Sequence, residues 1–267
     1  MRGEKINIPK RDLNKYLFNF VKDKLNLSNE KWKFKFDPAM DYFRIRSRGE
    51  YGEKRISVTW MDYSNSTEIE INWLNHLMYE IEQRNGFEIV YHPNNPKISR
   101  EPYTITTAIR AYGPFNSRFN VRDSVYPSRN QCILARNNGT PIYGYHLDLE
   151  YEEDLEHILD FLNGYIEKVA LPFLETCLSL QKINDEIIDW YPVGKMNRHF
   201  PLHHNRLKLL IMGLCENPNY DAEWNAMLKR HTPEFLSTDR GQSSIKMYQD
   251  IDKLVRSKEK ERYEQYL

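Results

Sequence analysis

Four short segments between residues 31 and 73 alternate large apolar side chains with charged or polar ones, and this alternation constrains the fold more than any other feature of the chain. Trp32, Phe34 and Phe36 alternate with Lys31, Lys33 and Lys35, and Phe43 and Ile45 with Arg44 and Arg46. Ile56, Val58 and Trp60 flank Ser57 and Thr59, and Ile69, Ile71 and Trp73 enclose Glu70 after Glu68. A period of two is the signature of a strand with one wet and one buried face. The connectors Asp37-Pro38, Gly49 to Gly52 and Tyr63 to Ser66 carry turn chemistry. Connectors this short join only antiparallel neighbours. The expectation is a four-stranded meander with an aromatic-rich buried face. Its opposite face carries Lys and Arg on the first two strands and Glu on the fourth.

Helical periodicity surrounds this core. Pro9 suits a first helical position, and Leu13, Tyr16, Leu17, Phe20, Val21 and Leu25 recur at helical spacing, which predicts a helix over 10–26. Leu74, Leu77, Met78 and Ile81 predict a short helix that Gly86 can end. Residues 97–145 are rich in Pro, Gly and Asn, with strands expected at Tyr103 to Ile109, Cys132 to Ala135 and Pro141 to Leu149. A connection that long is either functional or poorly ordered.

Beyond it the pattern turns helical. Leu155, Ile158, Leu159, Leu162, Ile166 and Val169 make one stripe, and Pro172 restarts a second helix. Leu207 to Leu214, Tyr220 to Leu228, and Gln242 to Tyr263 predict three more, the last ending in a charged tail, Arg256 to Glu264, expected to fray. The predicted class is α+β: an N-terminal helix, an antiparallel meander sheet with one face covered by helices, and a helical C-terminal half. The expected division is an α+β domain over 1–190 with a helical extension, 191–267, packed on it.

Charge narrows the function classes. Lys and Arg number 38, and so do Asp and Glu, so a globally basic nucleic-acid binder is not indicated. The charge is unevenly spread: residues 1–60 carry 15 basic against 8 acidic groups, net +7, and residues 146–190 carry 2 against 12, net −10. Such asymmetry steers a partner, or reflects two regions that face each other or simply form two solvated faces. The basic sheet face is a candidate for a phosphate backbone, but the rings that stack on bases alternate onto the other face. Nucleic acid is therefore not expected. Cys132, Cys177 and Cys215 are widely spaced and odd in number, which reads as reduced thiols in a cytoplasmic protein. No signal peptide and no run of about 20 apolar residues is found.

Catalytic signatures are absent. His199, His203 and His204 cluster, but Pro201 interrupts the i,i+4 spacing and no HExxH accompanies it, so no metal is expected and a surface loop leading into a helix is. There is no GxSxG elbow, GxGxxG or GxxxxGK, and no cofactor is expected. The acidic run from Glu150 to Glu156 reads as a helix start.

The stretch 98–167 has no lysine but six arginines interleaved with aromatic residues. Guanidinium forks bind carboxylates bidentately and stack on rings, and Tyr and Arg are favoured at binding hot spots. Arg100, Arg110, Tyr112, Arg118, Arg122, Tyr126 and Arg129 are the candidate binding residues for a protein partner with an acidic surface. Internal pairing with the acidic 146–190 region is the competing account. A site assembled from Arg110, Arg118, Arg122, His146 and Asp148 would instead suit an enzyme or nucleic-acid binder.

The run Tyr143-Gly-Tyr-His-Leu-Asp-Leu, the stripe from Leu155 to Ile166, and Ala170-Leu-Pro-Phe-Leu-Glu-Thr-Cys-Leu-Ser together resemble the bacterial domain of unknown function 4304. The resemblance covers roughly residues 10–190. It implies a leading helix, an antiparallel sheet with a Trp-ended strand, and a long helix followed by an "ALPFL" helix. It supplies no catalytic residue, and by analogy it points to an accessory or immunity-like protein. The combined expectation is a non-catalytic binding protein.

Overall fold

The alternating segments do form strands. The computed structural model describes residues 7, 9, 12–25, 27, 32–37, 42–59, 64–95, 102–109, 131–137, 140–145, 156, 159–160, 163–164, 166–195, 199–200 and 205–267. Helix α1 (Leu13–Val21) precedes β1 (Lys33–Asp37), β2 (Tyr42–Gly49), β3 (Gly52–Thr59) and β4 (Ser64–Ile71). Helix α2 (Asn72–Asn85) and β5 (Thr104–Ile109) follow, and the five strands form one antiparallel sheet in the order β1-β2-β3-β4-β5. A separate hairpin joins β6 (Gln131–Asn137) to β7 (Thr140–Tyr145). The remaining helices are α3 (Leu171–Thr176), α4 (Leu180–Ile183), α5 (Asn205–Leu214), α6 (Tyr220–Lys229), α7 (Pro233–Leu236) and α8 (Asp239–Arg256). One π-helical stretch, Ile166–Ala170, leads into α3, and another, Asn184–Ile188, continues α4. The class is α+β, with the sheet in the N-terminal half and helices in the C-terminal half.

The alternation sorts the sheet's faces as expected. Ile45, Ile56, Ile69, Ile71 and Ile105 are buried, whereas Lys33 and Lys35 are exposed. In the β1–β2 register Phe34 faces Ile45 and Phe36 faces Phe43, while Lys33 faces Arg46 and Lys35 faces Arg44. Glu68 bridges to Arg55 of β3 at 3.0 Å. The apolar partner pairs stabilise this register, and the like-charge pairs oppose it.

Two sequence expectations need correction. Trp73 does not end a strand: β4 stops at Ile71, and Trp73 lies in the first turn of α2. The charged tail does not fray, because Lys258–Tyr266 forms a nine-residue 3-10 helix with Tyr266 stacked on Trp73 at 4.2 Å. Gly86 ends α2 as expected, in the left-handed conformation at φ 66°.

The chain forms two compact units, each discontinuous in sequence. The first comprises Met1–Arg48, Lys54–Glu68 and Thr107–Leu174, and the second Gly49–Glu53, Ile69–Thr106 and Glu175–Leu267. Residue 190 lies inside the second unit rather than at a limit of either. In the first unit Leu17, Ile45, Ile56, Ile166, Val169 and Phe173 are buried to 1% exposure or less. At the centre of the second is α5, whose residues from Arg206 to Leu214 are all buried. A helix buried on every side belongs inside a core. Among the described residues no helix is long and apolar enough to cross a membrane.

Candidate functional site

The buried helix α5 carries two cations, Arg206 and Lys208, within the apolar sequence NRLKLLIMGL. A charge taken out of water must be paired, or it becomes prohibitively costly. Each is paired with its own glutamate. Glu82 of α2 is fully buried, and its Oε1 accepts from Arg206 Nη1 at 2.8 Å. The same oxygen accepts from the Tyr103 hydroxyl, and Oε2 accepts from the Val90 N–H at 3.1 Å. Tyr103 is 1% exposed, and its backbone N–H and C=O are both taken by the Asn75 side chain, at 2.6 and 3.4 Å. The Arg206 guanidinium lies 5.6 Å from the Tyr103 ring centre.

Burial pushes the Glu82 carboxyl up from the ordinary range, against the lowering pull of Tyr103, Arg206 and the Val90 N–H. Burial also pushes the Tyr103 phenol up. A raised carboxyl beside a tyrosine and an arginine is a combination found at active sites. Here three donors already occupy the carboxylate, which is itself fully buried. Its physical effect is to lock α2, the approach to β5 and α5 together.

The second pair anchors a turn. Lys208 Nζ lies 3.0 Å from Glu223 Oε1 of α6, with both side chains 3% exposed. Desolvation pushes the Lys208 ammonium down, and Glu223 pulls it back up. A lysine so depressed can serve as a nucleophile when it faces a cleft; this one is enclosed and ion-paired. Glu223 also receives the Gly194 N–H at Oε2, 2.8 Å away, and Arg230 donates to the Gly194 carbonyl. Gly194 sits at φ +74°, and a Cβ there would lie 3.0 Å from that of Ala226, so glycine is the fitting residue.

The other end of that turn is held as well. Asn217 donates to Asp189 Oδ1 at 2.8 Å and to Asn184 Oδ1 at 2.6 Å. Asn217 is itself fixed by the close of α5, where Glu216 adopts φ 52° and the Asn217 N–H bonds the Met212 carbonyl at 2.9 Å. Between the two anchors stand Trp190, 52% exposed, and Val193, 41% exposed. The Tyr191 N–H bonds the Ile188 carbonyl at 3.1 Å, and the Tyr191 ring meets His199 edge-on at 6.0 Å. The result is a pinned turn that presents a large indole to solvent.

His199 corrects the surface-loop expectation. It is 1% exposed and donates from Nδ1 to the Thr106 carbonyl at 2.9 Å, while the Thr106 N–H returns a 2.9 Å bond to the His199 carbonyl. Burial drives its pKa down to about 4, which keeps the ring neutral. His203 and His204 lie outside the described residues. Among the described residues no group of three or more His, Cys, Asp or Glu is arranged to hold a metal. Cys177 is buried and its thiol pushed well up; burial and then the nearby carboxylates of Asp185 and Asp189 push that of Cys215 up to about 12. Neither is an activated nucleophile.

The sequence-derived candidates Arg100, Arg110, Tyr112, Arg118, Arg122, Tyr126 and Arg129, with His146 and Asp148, lie outside the described residues. The clusters around α5 were missed by sequence reasoning. The available signal was the pair of cations inside an otherwise apolar helix, which demands two buried carboxylates somewhere in the chain. Neither protein-family models, nor characterised proteins, nor solved structures give a match to this chain.

Proposed function

We propose that this chain is a non-catalytic protein-binding module that meets its partner through the Trp190–Val193 turn. The observation that carries the reading is a contrast within the second unit. Its perturbed Glu82, Lys208 and His199 side chains are buried and paired and its two thiols are pushed up, while its exposed indole is held on a turn anchored at both ends. Tryptophan is among the commonest hot-spot residues, and a contact loop already fixed before binding loses little entropy when a partner docks. The Arg- and Tyr-rich stretch from Arg100 to Arg129 is a second proposed contact, suited to an acidic partner surface, and a cytoplasmic setting fits the reduced thiols. An accessory or immunity-like role is consistent with both.

The test is to install a photo-crosslinking phenylalanine in place of Trp190 and, as a control, in place of the exposed Lys229. One discrete protein adduct at position 190 and none at 229 is expected. No adduct at 190, or the same products at both positions, argues against the turn as a contact.

A further inference from the structure

The Lys258–Tyr266 helix is attached in an unusual way. A 3-10 helix rarely continues past three or four residues, because its hydrogen bonds are poorly aligned. This one runs for nine, and none of them is buried. Its fixings are polar and exposed. Lys260 pairs with Glu216, Glu259 lies 3.7 Å from Arg84, and the Ser179 hydroxyl donates to the Leu267 carbonyl at 3.0 Å. Tyr266 adds an aromatic fixing by stacking on Trp73, with rings 4.2 Å apart and 10° from parallel.

A sharp joint separates it from α8. Ser257 is extended, at φ −93° and ψ 165°, and its hydroxyl accepts from the Glu259 N–H at 3.1 Å while donating to the Leu254 carbonyl at 2.8 Å. The backbone changes direction at Ser257, whose one hydroxyl ties the end of α8 to the start of the 3-10 helix. The segment forms part of the wall of a cleft of about 340 Å³, to which it gives Lys260, Tyr263 and Glu264, opposite residues that include Leu214 and Cys215. All these residues belong to the second unit.

We propose that Lys258–Tyr266 is a detachable strap that swings about Ser257, and that its release uncovers the Trp73 ring and, by removing one wall of the cleft, exposes Cys215. Exposed ion pairs contribute little and are screened by salt, so the strap loosens as ionic strength rises. The stack on Trp73 then carries most of the attachment.

The experiment is amide hydrogen exchange by mass spectrometry on the full chain, together with alkylation of Cys215. It compares the unaltered protein with Tyr266→Ala and Lys260→Gln at low salt and at about 1 M, where the screening length falls to about 3 Å. Tyr266 and Lys260 are not buried, so neither substitution touches the core. Loss of one aromatic pair predicts exchange of the strap amides about three- to tenfold faster in Tyr266→Ala. High salt gives a smaller rise in the unaltered protein, with little further effect on Lys260→Gln. Cys215 alkylation rises in step, while amides of Asp239–Arg256 keep their rates. Strap exchange that ignores salt and both substitutions would overturn the proposal. So would a parallel rise across α8, or faster strap exchange with unchanged Cys215 alkylation.

Discussion

Replacing Glu82 with alanine strands a charge. Arg206, whose side chain is 11% exposed, is left buried without its carboxylate, and the Tyr103 hydroxyl and Val90 N–H lose their acceptor. Removing one partner of a buried ion pair costs about 3–5 kcal/mol. Tyr103→Phe deletes a single hydrogen bond to a charged acceptor and should cost about 1.5–3 kcal/mol. The double variant should be scarcely worse than Glu82→Ala alone, because the carboxylate that the hydroxyl served is already gone. The coupling energy is then close to the full cost of Tyr103→Phe. Native-state amide exchange suits a chain with two units, since it reads the stability of α2 and α5 directly. A loss below about 1 kcal/mol in Glu82→Ala, or simple additivity in the double variant, would refute the idea that this cluster locks the second unit.

Two further perturbations test the fold. Because the folded-state pKa of His199 lies near 4, below its ordinary 6.5, the unfolded chain binds that proton more readily. The contribution of neutral His199 to stability is complete above pH 6.5 and is lost as pH falls toward 4, by about 3 kcal/mol over the full shift. Urea midpoints measured across that range should fall, and His199→Asn should flatten the slope. At the β2–β3 reversal Gly52 has φ +139°, and a Cβ there would overlap the Glu70 carbonyl oxygen. Gly52→Ala should therefore cost more than about 2 kcal/mol in urea unfolding.

Much of the architecture was legible because it is locally encoded. Alternation at Phe34, Ile45, Ile56 and Ile69 marks strands whatever lies elsewhere in the chain, and Gly86 marks the end of α2. Trp73 shows where local reading stops. Ile69, Ile71 and Trp73 continue a period of two, but Ile71 and Leu74 also fit a helical face, and the backbone changes period between them. What the sequence could not show was partnership at a distance. Arg206 meets Glu82 across 124 residues, His199 meets Thr106 across 93, and Ser179 meets Leu267 across 88. One sequence says that a buried cation needs a carboxylate, and does not say which. The same limit hid the turn at Trp190, whose anchors lie 28 residues beyond Asp189, at Asn217, and 29 beyond Gly194, at Glu223.

Trp190→Ala, followed in two ways on the same sample, separates contact from scaffold most directly. An unchanged melting midpoint is expected, because a half-exposed indole on a turn pinned through Asp189 and Gly194 adds little to the core, together with loss of the co-purified partner. A variant that melts as before and keeps its partner in full would contradict it, as would one that loses the partner only in proportion to a lowered midpoint.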